Sequence, residues 1–243
     1  MSSTSETGHA KNVYHFEQLI SFCTGFGAAY SPTKTALSII SLNSLHTAAK
    51  AQLQNVIDTT IVFNNIVNTR MDTFAPMRTL ATRLVNAFIV SDATKEMIKD
   101  ARTINRKIQG QRALTNNIPL DPSTPAPMTI STSQQSYDKL IEHFATLVAL
   151  LKSEPSYAPT ETELTIPELD ILINKFRTEN TKVMNAHTQI TLARSNRNSV
   201  LYNPGTGLVD IALAVKTYIK AAFGTRSDQY IAVKSIAFRN RKL

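Results

Sequence analysis

Apolar residues recur every three or four positions along a stretch that begins at Thr35. The stripe consists of Leu42, Leu45, Ala49, Leu53, Val56, Thr60, Phe63, Val67 and Phe74. This spacing predicts one amphipathic helix, about 60 Å long at 1.5 Å per residue. Because proline lacks an amide hydrogen and restricts the residue before it, we expect Ala75-Pro76 to kink or end the helix.

The same spacing predicts several further helices. They cover about 16–23, 77–109, 136–152, 165–201, 208–223 and 227–238, of which the last is either a short helix or an extended segment. Thr165 is the predicted N-cap of its helix, and Glu168 completes a capping box there. Gly110 suits a C-cap because glycine readily adopts the left-handed conformation at helix ends.

Two parts of the chain repeat one pattern of apolar residues. The matched pairs are Leu42 with Leu169, Leu45 with Leu172, Val56 with Val183, Phe63 with Ile190, Arg70 with Arg197, Leu80 with Leu208 and Val85 with Val215. An aromatic–X–Pro turn ends each long helix, Phe74-Ala75-Pro76 in one and Tyr202-Asn203-Pro204 in the other. Since neither helix of a unit can bury its stripe alone, we expect two pseudo-repeated helix–Pro corner–helix units that pack together.

Glycine is scarce, with 7 among 243 residues. A β-rich fold needs more glycine in its turns, so the sequence predicts an all-α fold, an elongated antiparallel bundle of four to five helices. We expect residues 1–11 to be a disordered tail and 12–243 to form a single helical-bundle domain. Within it, 113–135 holds four prolines and one charged residue, which predicts a mobile connection.

The cellular compartment is inferred from cysteine usage and from the N-terminal residues. The single cysteine, Cys23, excludes a disulfide within the chain and fits a reducing compartment. The first 18 residues lack a basic region and carry two glutamates, so we expect no secretory signal. The sequence contains no apolar run of about 18 residues, so we expect no transmembrane helix. We therefore expect a cytoplasmic protein.

No motif in the sequence predicts catalysis. Di-metal bundles place Glu-X-X-His on two helices, and this chain has that spacing once, from Glu6 to His9 in the predicted tail. A glycine-rich phosphate loop, a nucleophile elbow and a Cys/His cluster are absent from the sequence. Cys23 could pair with His15 or His46, but its aromatic neighbours predict a buried, inert thiol. We expect no catalytic residue, no cofactor and no metal.

His187 falls on the apolar stripe of the helix predicted at 165–201, between Val183 and Ile190. A histidine there is either a buried switch or ligand, or a core residue with a hydrogen-bond partner. We favour the second and expect a hydrogen bond across the bundle to Thr60 or Asn180.

Basic residues are spread unevenly along a chain whose net charge is +8. They concentrate in the helix predicted at 77–109 and at the C-terminal end, whereas 154–179 is acidic. The candidate residues for binding an anionic partner are Lys99, Arg102, Arg106, Lys107, Arg112, Arg239, Arg241 and Lys242. Such asymmetry steers binding to an anionic partner, or joins the acidic and basic regions of two subunits.

Several short motifs carry a resemblance to a known family. They are Ala75-Pro76, Thr103-Ile104-Asn105-Arg106-Lys107-Ile108-Gln109-Gly110, Thr129-Ile130-Ser131-Thr132-Ser133, Tyr157-Ala158-Pro159-Thr160-Glu161, Leu201-Tyr202, Gly207-Leu208-Val209-Asp210, Lys216-X-Tyr218-Ile219-Lys220 and Phe223-Gly224. From about Tyr30 onward, the chain resembles a family of helical-bundle proteins of Bacteroidota with no established function. The resemblance implies a helical fold and implies no activity.

Three functions are compatible with this sequence. We favour a non-enzymatic structural or protein-interaction bundle that associates with itself or with another protein. The alternative is a sequence-independent nucleic-acid-binding protein that uses a basic surface, although neither basic region has interleaved aromatic residues for stacking on bases. The third is an α-helical pore former, for which residues 19–30 are the nearest candidate for an exposed apolar segment.

Overall fold

The computed structural model describes residues 4–111 and 135–240. Every regular element in these ranges is helical, and no strand occurs in them. The α-helices are α1 (Thr4–Gly25), α2 (Ile39–Phe74), α3 (Met77–Ile89), α4 (Lys95–Ile108), α5 (Tyr137–Lys152), α6 (Ile166–Tyr202), α7 (Leu208–Phe223) and α8 (Asp228–Lys234). The all-α fold class predicted from the sequence is confirmed.

The two longest helices follow the two longest apolar stripes. α2 has 36 residues and α6 has 37. Pro76 is the N-cap of α3, so the chain turns at Ala75-Pro76 as predicted. The bounds of α5 and α7 also agree with the predicted ones, and 227–238 contains the short helix α8.

Helix α1 is longer than the sequence predicts. A tail is predicted at 1–11 and a short helix at 16–23, whereas α1 begins at Thr4 and continues to Gly25. Inside this stretch, His9 is 0% exposed and Asn12 is 2% exposed. The prediction of a tail is therefore wrong for residues 4–11, because polar residues form part of the inner face of α1.

Hydrogen bonds explain why these polar residues are buried. Nδ1 of His9 lies 2.7 Å from the hydroxyl oxygen of Tyr202. The Asn12 side-chain amide donates to the Arg239 carbonyl over 2.9 Å, and its carbonyl oxygen accepts the Arg239 N–H over 3.1 Å. A buried polar group that has partners avoids most of the cost of leaving water.

The single helix predicted at 77–109 is two helices, α3 and α4. The Ser91 hydroxyl donates to the Phe88 carbonyl over 2.8 Å at the end of α3. The Thr94 side chain accepts the Met97 amide hydrogen and caps the start of α4. Serine and threonine form such local bonds in place of helical ones, so the helix breaks although the apolar spacing continues.

Contacts between residues divide the described chain into two compact units. Unit 1 lies within Met1–Phe63 and Ala186–Leu243, and unit 2 lies within Asn64–Asn185. Helices α2 and α6 each contribute one part to each unit. The connection predicted at 113–135 lies outside the described residues except for Gln135.

In unit 1, α1 and α8 pack against α7 around an apolar core. Phe16, Leu19, Leu42 and Leu208 are fully buried there. The turn before α7 contains Gly207, where a Cβ atom would lie 2.6 Å from the Asn203 backbone nitrogen. A side chain does not fit at that distance, so this turn requires glycine.

In unit 2, α4 packs against α3 and α5 around a second core. Phe88, Phe144 and Phe176 are 0% exposed. The Phe144 and Phe176 rings meet edge to face with centroids 5.6 Å apart, and the Phe74 ring lies 4.5 Å from Phe176. Aromatic pairs in such geometries add to the free energy of burial.

The same corner precedes the long helix in each unit. The Tyr30 hydroxyl donates to the Leu37 carbonyl over 2.7 Å, and the Tyr157 hydroxyl donates to the Leu164 carbonyl over 2.9 Å. Both carbonyls lie in a 3-10 turn, Thr35–Leu37 or Thr162–Leu164, immediately before the long helix. The sequences are YSPTKTALS and YAPTETELT. The repeat therefore includes this corner as well as the long helix.

The repeat follows a different register after the proline turn. Buried positions at corresponding places in α3 and α7 are Met77 with Leu208, Ala81 with Ala212, Leu84 with Val215 and Phe88 with Ile219. The predicted pairings of Leu80 with Leu208 and of Val85 with Val215 are therefore wrong. The turn before α7 spans 203–207, whereas 75–76 suffices before α3, and the extra residues shift the register.

Candidate functional site

Four of the predicted anion-binding residues lie on α4 of unit 2. Ala101 and Ile108 are buried on its inner side, so Lys99 and Arg102 lie on the outer side. Lys99, Arg102 and Lys107 are exposed, and Arg106 is half-buried. The structure therefore brings these four residues onto one short helix.

Lys95, Lys99 and Arg102 form a line on the outer side of α4, which we call the basic stripe. They recur at steps of four and three residues, and an α-helix has 3.6 residues per turn. All three are exposed, and no ion pair in the described part of the chain involves them. Lys95 is not among the candidates predicted from the sequence. The apolar spacing predicts one continuous helix at 77–109, in which Lys95 is not the start of a separate basic helix.

Polar side chains join α3 to α4 in antiparallel register. The Gln109 side-chain amide donates to the Arg78 carbonyl over 2.8 Å and to the Thr82 hydroxyl over 3.2 Å. The Arg78 guanidinium donates to the Ile108 carbonyl over 3.3 Å. A cation at the C-terminal end of a helix is favoured by the helix dipole, so Arg78 stabilises α4.

Lys107 lies on the side of α4 that faces α5. Burial lowers the pKa of His143 on α5, and the positive charge of Lys107 lowers that pKa further. Glu142 acts in the opposite direction on His143. Lys107 therefore sits among titratable groups of α5, away from the basic stripe.

The candidates at the C-terminal end belong to a different unit. Arg239 is in unit 1, where its backbone is bonded to Asn12 and its side chain is exposed. Arg112, Arg241 and Lys242 lie outside the described residues. The eight predicted residues thus do not form one site within the described ranges.

A second candidate surface lies on α2 within unit 1, and we call it the α2 face. Ile57, Ile61 and Val62 are 52%, 53% and 54% exposed. Residues 51–69 carry one charged side chain, Asp58. The Asp58 carboxylate accepts a hydrogen bond from the Gln54 side-chain amide over 2.8 Å. The α2 face is therefore apolar apart from Asp58, which lies between Ile61 and Val62 around the helix.

Cys23 occupies the core of unit 1, as the sequence predicts. It is 1% exposed, and burial raises the pKa of its thiol to about 11. The thiolate is the nucleophilic form of cysteine, so burial suppresses its reactivity. The prediction that Cys23 is buried is confirmed.

His187 is exposed, and the prediction that it is a buried core residue is wrong. Its ring lies 6.1 Å from the Phe63 ring, centroid to centroid. The Thr60 hydroxyl donates to the Val56 carbonyl over 2.6 Å, and Asn180 bonds to other side chains. His187 follows the buried Ala186 by one position, which turns it toward the outer side of α6.

In the segment considered for a pore former, most of the large apolar side chains are buried. Leu19, Ile20, Cys23 and Tyr30 belong to the core of unit 1, and Phe22 is 37% exposed. This burial weakens the pore-forming alternative. None of the helices in the described ranges is both long enough and apolar enough to span a membrane.

Comparison of the chain with protein-family models, with curated proteins and with solved structures found no match. The resemblance to a Bacteroidota family stays a prediction. Among the described side chains, no group of three or more His, Cys, Asp or Glu residues is placed to hold a metal ion.

Proposed function

We propose that the protein is a non-enzymatic helical module that binds protein, with a second copy of the chain as its partner. The α2 face is the observation that carries this proposal. Its three apolar side chains are each more than half exposed. Neighbouring apolar side chains cost free energy in water, and an interface removes that cost by burying them.

The scarcity of charge along 51–69, where Asp58 is the one charged residue, supports an interface. Charged residues are depleted at the centres of protein–protein interfaces, where they would have to lose their water. Along 51–69 the other polar residues are Asn, Gln and Thr. On α6, residues 183–193 likewise carry no Asp, Glu, Lys or Arg, and Leu192 is 51% exposed. Both long helices therefore have a stretch that loses little on desolvation.

The scarcity of charge along 51–69 also favours a second copy of the chain as the partner. The chain has a net charge of +8, so two copies repel each other on average. A nearly neutral surface is where that repulsion is weakest. A two-fold dimer brings the same patch of both subunits together, and an apolar patch is complementary to itself.

The test is light scattering on a sizing column at moderate salt, with absorbance recorded at 260 and 280 nm. We expect a discrete oligomer with a protein-like absorbance ratio. The double variant Ile57→Gln/Ile61→Gln is expected to dissociate it, and helix content is expected to be retained because both side chains are exposed and glutamine is a good helix former.

The matched control is Ile40→Gln/Val90→Gln, which changes two side chains that are 84% and 85% exposed outside the α2 face. We expect this control to leave the oligomer intact. A monomeric wild-type protein contradicts self-association. An oligomer that survives Ile57→Gln/Ile61→Gln contradicts the α2 face as its interface.

A further inference from the structure

The basic stripe has dimensions that suit a row of phosphates. Lys95 and Arg102 are seven residues apart, which corresponds to about 10.5 Å along a helix axis. One strand of a B-form duplex carries a phosphate about every 3.4 Å along its axis. The three cations of the stripe therefore extend over about three phosphates.

Few acidic side chains lie close enough to the basic stripe to form ion pairs with it. Glu96 and Asp100 are the acidic residues of α4, and neither forms an ion pair with the stripe, although Glu96 precedes Lys99 by three residues. Helix α3 contains no acidic residue. Asn86 is exposed on α3, one turn beyond Thr82, which meets Asn105 of α4. Helix α3 therefore offers the stripe no acidic partner.

Lys95 has no stabilising role in the helix itself. It is the first residue of α4, where the partial positive charge of the helix dipole disfavours a cation. Lys99 and Arg102 lie outside the last turn, so the helix dipole does not favour their charges. The three charges are therefore explained by neither ion pairs nor helix capping.

The chemistry of α4 distinguishes among anionic partners. A helix that lies on a membrane inserts an apolar face into the lipid, but Ala101 and Ile108 of α4 are buried in unit 2. Binding to a nucleic-acid backbone needs no apolar contact, because phosphate neutralisation and counterion release supply the free energy. Helix α4 carries no aromatic residue that would stack on bases.

We propose that the basic stripe of Lys95, Lys99 and Arg102 binds the phosphodiester backbone of nucleic acid without reading its sequence. Phosphate contacts position a protein on nucleic acid, and base contacts specify sequence. The proposal is independent of self-association through the α2 face, because the two surfaces lie on different helices and in different units.

The test measures fluorescence anisotropy of a labelled duplex and of a labelled single strand, each titrated with the full chain at several salt concentrations. The variant is Lys95→Gln/Lys99→Gln/Arg102→Gln, with circular dichroism to verify that helix content is retained. We expect affinity for the duplex to fall by about tenfold or more. The slope of log K against log salt should lose about 0.9 for each phosphate contact removed, or about 2.7 in all.

The matched control is Lys50→Gln/Lys175→Gln/Arg177→Gln, which removes the same charges from exposed positions on α2 and α6. We expect it to change the affinity by less than about threefold. An equal loss in the control would show that net charge alone attracts the nucleic acid, and would overturn the proposal.

Two other anionic probes are tested beside the nucleic acids. One is a vesicle that contains phosphatidylserine, and the other is the acidic polypeptide polyglutamate. Binding to either of them through the stripe, without binding to the duplex or the single strand, overturns the proposal in favour of that partner. An absence of nucleic-acid binding at low salt overturns it outright. Variants of the α2 face are expected to bind nucleic acid as the wild-type protein does, which separates this test from the test of self-association.

Discussion

Helices α1 and α5 occupy corresponding places in the two units, yet they are built from different chemistry. Their buried residues match at a constant separation of 128 positions: Phe16 with Phe144, Leu19 with Leu147, Ile20 with Val148 and Cys23 with Leu151. Toward the N-terminal end of each helix the positions still correspond but the residue types differ. At the same separation, His9 corresponds to Tyr137 and Asn12 to Leu140. Unit 1 is polar where unit 2 is aromatic and aliphatic.

The contacts at these positions show how each solution works. In unit 1, the His9 ring lies 5.5 Å from the Tyr202 ring and Nδ1 bonds to the Tyr202 hydroxyl. In unit 2, the Tyr137 ring meets the Phe74 ring edge to face at 4.8 Å. One helix end is held by hydrogen bonds and the other by ring packing. Corresponding positions of the two units can therefore hold polar residues in one unit and aromatic or aliphatic residues in the other.

The largest expected effect is equal in the two units. Phe16→Ala and Phe144→Ala each remove a fully buried ring, and each should lower the free energy of unfolding by about 3–5 kcal/mol. Urea denaturation followed by circular dichroism measures both. Tyr14→Ala is the control, because Tyr14 is 60% exposed on the same helix as Phe16. A cost for either phenylalanine as small as that of Tyr14→Ala would break the correspondence.

The next effect distinguishes the two units. Asn12→Leu installs the type of residue found at Leu140, and it leaves the Arg239 N–H and carbonyl without their partner. An orphaned buried polar group costs about 1–3 kcal/mol, and the bonds to Arg239 are part-buried, so we expect a destabilisation of about 1 kcal/mol. Hydrogen exchange at the Arg239 amide should become faster. Asn43→Leu, at an exposed position of α2, is the control. A stabilised Asn12→Leu variant would show that the hydrogen bonds of unit 1 are dispensable.

The two tyrosine corners should respond alike. Tyr30→Phe and Tyr157→Phe each remove one hydrogen bond to a carbonyl, with an expected cost of about 1 kcal/mol each. Both are measured in a Cys23→Ala background, because the Tyr30 hydroxyl also bonds the Cys23 side chain. Unequal costs, measured by urea denaturation beside the exposed Tyr14→Phe, would contradict the equivalence of the corners.

The corners also predict a loss of stability at alkaline pH. Burial raises the pKa of Tyr157 from 10.0 to about 12, and burial raises the pKa of Tyr30 as well. The folded state therefore holds these protons more tightly than the unfolded state. Their contribution is complete below pH 10 and is lost as the pH rises through the folded pKa values. Tyr30→Phe/Tyr157→Phe should show a weaker loss of stability than the wild-type protein above pH 10.

The smallest effect tests the start of α1. Gly8 lies in α1, and no atom lies within 4 Å of a Cβ added there. Gly8→Ala should raise the free energy of unfolding by about 0.5–1 kcal/mol, because alanine favours a helix over the unfolded chain. Gly27→Ala is the control of opposite sign, since Gly27 has φ +56 and an L-residue is strained there. An unchanged free energy of unfolding in Gly8→Ala would contradict a stable helix at Gly8.

Most of the fold follows from apolar spacing. Helices α2, α5 and α7 were predictable because most of their buried positions are apolar at steps of three and four, although His46 of α2 and His143 of α5 are also buried. The first turns of α1 were not, since His9 and Asn12 are polar and their partners are distant in sequence. The break between α3 and α4 depends on hydrogen bonds of Ser91 and Thr94, which do not interrupt the apolar spacing.

The candidate surfaces were predictable only in part. Lys99 and Arg102 were identified from composition, and Lys95 was missed because its role depends on where α4 begins. His187 was misplaced because a stripe read at fixed spacing cannot show which side of a long helix is covered. The α2 face could have been suspected from the scarcity of charge along 51–69, which is visible in the sequence. Exposure of Ile57 and Ile61 required the fold.

The division into units has a consequence for how the chain folds during synthesis. Unit 2 comes from one continuous segment, whereas unit 1 combines segments from both ends of the chain. A ribosome has completed every part of unit 2 before it reaches Ala186. Helix α1 must wait for α7, so Phe16 and Leu19 stay available to chaperones until Leu208 and the residues after it emerge. Translation therefore favours unit 2 as the first part to fold, and a premature stop before Leu208 deprives unit 1 of its central helix.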